Sequence, residues 1–390
     1  MATTTTASII RFQNALVSQR DKEWTVIASS VEATDEEKAA VKESKNRLQE
    51  HLKALLTNYN VIVLAGSGSS IDAVAAGVGG PKMSELWDTI VTWDGFEDVK
   101  TAVRYNGLNN IEDFLSQCHN SLAFLEAASS GIVSEFIKKA EREIFQQCTE
   151  FLTGCPPLPS HEEFLDRLTK RKSRFPRPKV FTTNYDLCFE CAAARRGLTI
   201  IDGFSYSQPR KFNPNFFGYD IVRRAKSPSE SNELVEGVLQ LFKIHGSVDW
   251  EINGSGILQT PNPHEDKRCL IYPAATKYQH SYTQPYLEMM ARFLMSVREP
   301  NTTLIVVGFG FNDSHLNAPI LAAIQSNPSL SLIVVDPSIE DKADDLIGYA
   351  PHIEISRYTS SRATLLNATF GQFTALIPDL KGLGWDQNEQ

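Results

Sequence analysis

Along the chain, short and nearly unbroken apolar runs alternate with longer stretches in which apolar positions recur every three or four residues. The runs are Asn60-VIVLA, Lys179-VF, Leu239-QLFKI, Thr303-LIVVGFG and Leu332-IVVDP. Their shortness and continuity predict strands buried on both faces, as in a parallel sheet covered by helices. Between them, Glu36 to Leu56, His161 to Lys170, 283–297 and Asp313 to Ile324 carry helical spacing. From Asn109 to Thr153 the spacing is also helical. Ile111, Phe114, Leu115, Cys118, Leu122 and Leu125 share one face, and Ile132, Phe136, Ile137, Ala140, Ile144, Phe145 and Cys148 another. This predicts a helical hairpin set between sheet elements.

The expected fold is therefore α/β: a Rossmann-like, doubly wound parallel sheet with a helical insertion at 109–153. A small hairpin region is expected around Asn253-Gly254, a turn pair between short apolar runs. The expected layout is an N-terminal arm and helix at 1–58, a central domain at 59–336 and a helical C-terminal extension at 337–390. The Thr-rich first 35 residues read as a flexible or partner-contacting arm. Residues 205–235, rich in Pro, Gly, Asn and charge, read as a surface loop insert.

Composition narrows the function classes. A net charge of -9 argues against a binder of nucleic-acid backbones, which shows a basic patch or stripe. No run approaches the ~20 apolar residues that cross a bilayer, and MATTTTASII lacks the cationic start of a secretory signal. The six cysteines are scattered. Only Cys188 and Cys191 form a CxxC pair, with no second pair to complete a zinc site, and its place in LCFECAAARR suggests core packing. These features point to a reduced, cytoplasmic protein without structural metal.

Candidate chemistry sits at the strand ends, where α/β proteins bind ligands. Gly66-Ser67-Gly68-Ser69-Ser70 follows a strand and precedes a helix, a place where backbone can approach a pyrophosphate. Ile71 occupies the third glycine position of the dinucleotide fingerprint, so a plain tight turn is the competing reading. Thr182-Thr183-Asn184-Tyr185-Asp186 ends a second strand and reads either as a helix cap or as a polar site. His245, before Gly246, is a structural histidine or a general base. Gly308-Phe309-Gly310 forms a second possible phosphate turn, with Asp313 read as a cap. Asp336 ends the last run, where a carboxylate grips an adenosine ribose or faces solvent.

Taken in order, these five ends resemble the SIR2-like proteins, specifically the bacterial branch of NAD-consuming effectors in anti-phage defence. Gly66 to Ser70 matches the family's GAGxS turn, Thr183-Asn184-Tyr185-Asp186 its TQNxD-type motif, and His245-Gly246 its catalytic His-Gly. Gly308-Phe309-Gly310 matches the later phosphate turn and Asp336 the strand end near the adenosine. The resemblance runs from Tyr59 to Asp336. Two features depart from the protein-deacylating sirtuins. One cysteine, Cys269, replaces their four-cysteine zinc module, and Met83-SELWD stands where they carry Pro-Asp-Phe-Arg.

The resemblance implies NAD⁺ as substrate, no zinc, and hydrolysis to nicotinamide and ADP-ribose. A zinc-free deacylase or ADP-ribosyltransferase and a non-catalytic nucleotide-binding scaffold are the alternatives. It implies that Asn184 orients water or ribose hydroxyls, His245 acts as base and Asp186 steadies the cationic sugar. Amides near Gly66, Gly68, Ser69 and Gly308 would cradle the pyrophosphate. It also implies a homo-oligomer, with a HerA-type hexameric ATPase as partner; the arm before Tyr59 and the 109–153 insertion are the expected oligomer surfaces.

Overall fold

Apolar runs with β-branched side chains favour extended backbone that can bury both faces, and seven such runs pair in parallel here. The structure, a computed structural model, describes residues 10–14, 25–28, 35–74, 78–107, 109–172, 174–227, 231–254, 256–270, 285–311, 313–339 and 362–380. Across the sheet the parallel strands run Ala363–Asn367, Leu330–Val335, Thr302–Val307, Asn60–Ala65, Lys179–Thr182, Val238–Lys243 and Thr199–Ile201. Two antiparallel strands, Ile10–Asn14 and Thr25–Ala28, extend the edge beyond Ala363–Asn367.

The order contains a switch point. From the central strand Asn60–Ala65 the chain first builds one side of the sheet and then returns to build the other through Thr302–Val307. Connections therefore diverge on either side of that strand and leave a crevice at its carboxyl end. Register makes the crevice flat-floored: Val335, Val307, Ala65, Thr182 and Lys243 lie side by side. The residues after them are thus delivered to one edge.

Alternation along the strands feeds two cores. Val61, Val63 and Ala65 pack into one with the helices Asp35–Leu56, Pro159–Thr169 and Cys188–Arg196. Ile62 and Leu64 pack into the other with Tyr286–Ser296 and Ser314–Ser326. There Phe181 stacks on Phe242 at 4.4 Å and Phe242 on Phe217 at 4.4 Å. Each fully buried ring of this kind contributes roughly 1.5–3 kcal/mol.

Four features differ from the sequence expectations. The chain outside 59–336 is not only arm and helix, because three of the nine strands of the main sheet come from it. These three strands are only four or five residues long, so each gives a weak signal in the pattern. The 205–235 stretch is partly built: it holds the strand Arg210–Lys211, the 3-10 turn Pro214–Gly218 and the strands Val222–Arg223 and Glu233–Leu234, with Phe217 buried. The helical insertion starts earlier than Asn109. Met83–Val91 and Phe96–Ala102 share a third core with Ile111–Ser121 and Ala127–Thr149 through Trp87, Phe96, Phe114 and Phe136.

Finally, Cys191 is not a packed free thiol. It forms a disulfide with Cys155, 36 residues away, while Cys188 is free and buried, so the expectation of a fully reduced chain is corrected. The CxxC spacing hid the true partner, which the Gly154-CPP connector brings alongside the helix. The hairpin region is a four-stranded antiparallel sheet centred on Gly246–Asn253 and Gly256–Gln259.

Candidate active site

The polar ends meet in one cleft. Its lining includes Ser67, Ser70, Thr183, Asn184, Asp186, His245 and Phe309, together with Asn110, Glu112, Cys148, Tyr185 and Asp313. The open cleft has a volume of about 120 Å³, the size class of cavities that hold a single six-membered ring (about 150 Å³ for a cavity that takes benzene).

Asn184 is fixed by a chain of donors. The Ser69 hydroxyl donates to Gly66 O at 2.8 Å, so it can only accept from Asn184. The Asn184 amide NH₂ accordingly donates to Ser69 Oγ at 3.2 Å and Ser70 Oγ at 2.8 Å. This assigns the amide orientation and leaves its carbonyl oxygen as an acceptor. The Asn184 backbone N–H donates to Thr182 Oγ1, and Thr183 N–H to Ala65 O. The two threonines thus turn the chain off the strand, and Asp186 accepts from Cys188 N–H at 3.0 Å at the start of the next helix. The stretch both caps the following helix and lines the cleft.

Below the turn lies a residue that the sequence reading passed over. Lys243, 3 % exposed, donates from its ammonium to the carbonyls of Tyr185 and Asp186 and lies 3.4 Å from Glu190. A buried ammonium with main-chain acceptors and one carboxylate is satisfied, and it pins the turn. Burial pushes the Glu190 carboxyl up to about 7 against the pull of Lys243, with Asp249 and Asp186 pushing the same way.

His245 is 2 % exposed, and its Nε2 lies 3.1 Å from Asp313 Oδ2. A carboxylate only accepts, so in the neutral ring Nε2 carries the proton and Nδ1 is the acceptor. Asp313 Oδ1 meanwhile accepts from His315 N–H at 2.9 Å, capping the following helix. Asp313 was read from sequence as a cap alone; its second role depends on a partner 68 residues away. Gly246 is required after the histidine. Its φ is +88°, and a Cβ there would sit 2.1 Å from Cys269 O.

The glycine turns serve a purpose other than the one expected. A Cβ on Gly66 would lie 2.5 Å from Phe309 Cα, one on Gly68 2.6 Å from Gly308 Cα, and one on Gly308 2.4 Å from Ser69 N. The two turns interlock backbone against backbone. The amides expected to cradle a pyrophosphate are already engaged: Gly66 N–H donates to Val307 O, Gly68 N–H to Gly308 O, Ser69 N–H to Gly66 O, and Gly308 N–H to Val335 O. Those four amides are therefore not the cradle. Gly310 and Asp336 do not line the cleft; Asp336 accepts from Ser338 N–H and Oγ–H in its own turn.

The helical insertion supplies a wall that sequence did not reveal. Asn110 caps Ile111–Ser121 and lines the cleft with Glu112, whose carboxylate is 3.4 Å from Tyr185 OH. Cys148 lines it from the second long helix, and burial pushes its thiol well up. Among the described residues the lining carries three carboxylates, Glu112, Asp186 and Asp313, and no lysine or arginine. Such a site favours positive charge in whatever occupies it.

Among the described residues no helix is long and apolar enough to cross a membrane. No curated protein matches the chain. Among solved structures, the crystal structure of cytosolic 5'-nucleotidase IIIB bound to cytidine matches over 85 % of this chain and 88 % of that one, with 10 % identity and a TM-score of 0.28. A likeness that slight carries no argument about function. Residues 178–350, which contain the Asn184 turn, His245, Gly308 and Asp336, match the family model described as SIR2-like domain, and that match supports the SIR2-like family for this chain.

Proposed function

We propose that the chain hydrolyses NAD⁺ to nicotinamide and ADP-ribose. The observation that carries this reading is the His245–Asp313 pair, 3.1 Å apart, in the same ring-sized cleft as the serine-anchored Asn184. Breaking the nicotinamide–ribose bond releases a neutral base and builds positive charge on the sugar. The leaving group needs no acid; the reaction needs a held ribose, negative charge nearby and a water placed at C1′.

Each need has a matching group. The Asn184 carbonyl accepts a hydrogen bond from a ribose hydroxyl or the water. His245, its proton held at Nε2 by Asp313, accepts a proton at Nδ1 and becomes an imidazolium that the carboxylate stabilises. Asp186 and Glu112 oppose the developing cation. A nicotinamide ring is already a pyridinium in NAD⁺, which suits an acidic lining better than an anionic or neutral ring does. The pyrophosphate and adenosine lie beyond this cleft in this reading.

The resemblance in the chain's strand-end motifs extends the reading to NAD⁺ depletion during anti-phage defence, in an oligomer restrained by a hexameric ATPase of the HerA type. The test of the chemistry is nicotinamide release from NAD⁺ alone, with and without an acylated peptide. Release with NAD⁺ alone, lost in Asn184→Ala, supports hydrolysis; release only with the peptide would transfer the site to deacylation. Asp313→Asn keeps an oxygen for the His315 cap while removing the charge beside His245. It should lower the rate at least about tenfold with little change in melting temperature.

A further inference from the structure

A second cavity lies at the opposite, amino-terminal edge of the sheet, with a volume of about 230 Å³. Lys170, Arg171, Lys172 and Arg174 line it, with Phe175 and Leu380 among its apolar walls and no carboxylate among its described lining residues. Four cations around one cavity are unexpected in a chain of net charge -9.

Lys170 is neutralised from outside the cavity, by Asp166 at 2.7 Å and Asp379 at 3.7 Å. The other three form no ion pair among the described residues. Arg171 is the most telling. Its guanidinium donates to Leu56 O and Asn58 O at 2.7 Å and Tyr59 O at 2.9 Å, tying down the C-terminus of the Asp35–Leu56 helix. Its Nε is buried with no hydrogen-bond partner. Burial pushes its pKa down to about 10. Carbonyl dipoles hold this half-buried charge, yet no counter-charge among the described residues neutralises it, and charges drawn out of water are ordinarily paired.

The walls add a second requirement. Phe175 is met edge-on by Tyr59 at 6.0 Å, and the Arg171 and Arg174 guanidinium carbons lie 5.4 and 5.6 Å from its ring centre. With Leu56 and Leu380 this gives the cavity an apolar lining beside its cations. We propose that this cavity is a binding site for a small aromatic anion, a single ring carrying a phosphate monoester. The phosphate pairs with Lys172 and Arg174 and compensates Arg171, while the ring fills the space beside Phe175 and Leu380. The site is separate from the cleft at the other edge of the sheet and does not depend on the chemistry assigned there.

The probe is phenyl phosphate, titrated calorimetrically into the full-length protein at low ionic strength. Saturable binding is expected, at least about tenfold tighter than inorganic phosphate and weakened at least about tenfold by Lys172→Glu/Arg174→Glu. Both substituted side chains are on exposed residues, so an unchanged circular dichroism spectrum is expected. His245→Ala should bind the probe like the wild type. The proposal is overturned if phenyl phosphate binds no tighter than phosphate, if charge reversal leaves binding intact, or if His245→Ala abolishes it. Binding that emerges only after removal of residues 381–390 would assign the cavity to the chain's own tail, and would also overturn it.

Discussion

Two cations held by main-chain carbonyls mark the two ends of the same sheet, Lys243 fully buried and Arg171 half-buried, and they are handled differently. At the carboxyl end Lys243 donates to the Tyr185 and Asp186 carbonyls and has Glu190 at 3.4 Å. At the amino end Arg171 donates to three carbonyls and has no carboxylate partner among the described residues. The first cation is balanced within the protein, so it works as a fixed strut beneath the Asn184 turn. The second is half of a pair, and its cavity is where the missing half fits. Charge balance, more than burial, separates a structural cation from a receptive one.

Four experiments break or sharpen this comparison, starting with the largest effect. His245→Ala should lower NAD⁺ cleavage by roughly 10²–10⁴-fold, the range for a general base, with the fold intact by circular dichroism. A rate within a factor of two of wild type would remove His245 from the chemistry.

Lys243→Met takes the strut away and leaves Glu190 and two carbonyls without their donor. The expected cost is about 3 kcal/mol in chemical denaturation, the low end for a broken buried pair because the Glu190 side chain is 22 % exposed. Adding Glu190→Gln should recover part of that loss. If the double variant is no more stable than the single, the pair does not act as a unit.

Acid should weaken the fold through His161. This ring is fully buried between Phe189 and Phe370, neither nitrogen has a hydrogen-bond partner, and burial lowers its pKa to about 4 from 6.5. The folded state then binds fewer protons than the unfolded chain between those values. The stabilisation is fully present above 6.5 and is lost as pH falls towards 4, by at most about 3 kcal/mol. Denaturation midpoints of wild type and His161→Leu between pH 7 and pH 4 measure this directly, and the variant should show a shallower acid decline. Parallel declines would exclude His161 as the cause.

The smallest effect is expected at Glu112. Glu112→Gln should raise the KM for NAD⁺ by a few-fold at low salt while bringing the acid analogue of NAD⁺, whose ring bears a carboxylate, closer to it as a substrate. An unchanged preference between the two would mean that Glu112 does not face the ring.

The strand ends were legible in sequence because each buried run stops where polar or glycine residues begin, and parallel register then aligns the stops. Asn184, His245 and Gly308 could be found that way. Lys243 could not, because one lysine in LFKIHG looks like a tolerated surface position until its neighbours are known. The Asp313 signal was visible, but a cap explains it fully within four residues. Asn110 and Glu112 reach the cleft only through packing of the helical insertion, which periodicity predicts as an element but cannot orient. The glycines misled in an instructive way: close backbone approach was correctly inferred, but what approaches is the other turn.

That interlock has a consequence for how the sequence can vary. Gly66 and Gly68 share the turn after Asn60–Ala65 and Gly308 follows Thr302–Val307, far away in the chain, yet Gly308 occupies the space a side chain on Gly66 or Gly68 would need, and Gly68 the space one on Gly308 would need. Replacement of Gly68 or Gly308 cannot be offset across their contact, where both residues are already glycine, and a side chain on Gly66 would meet the backbone of Gly308 and Phe309, which no substitution there can shrink. A saturation screen for activity should therefore find these three glycines as intolerant as His245, for reasons that concern the alignment of two strand tips and no reacting atom.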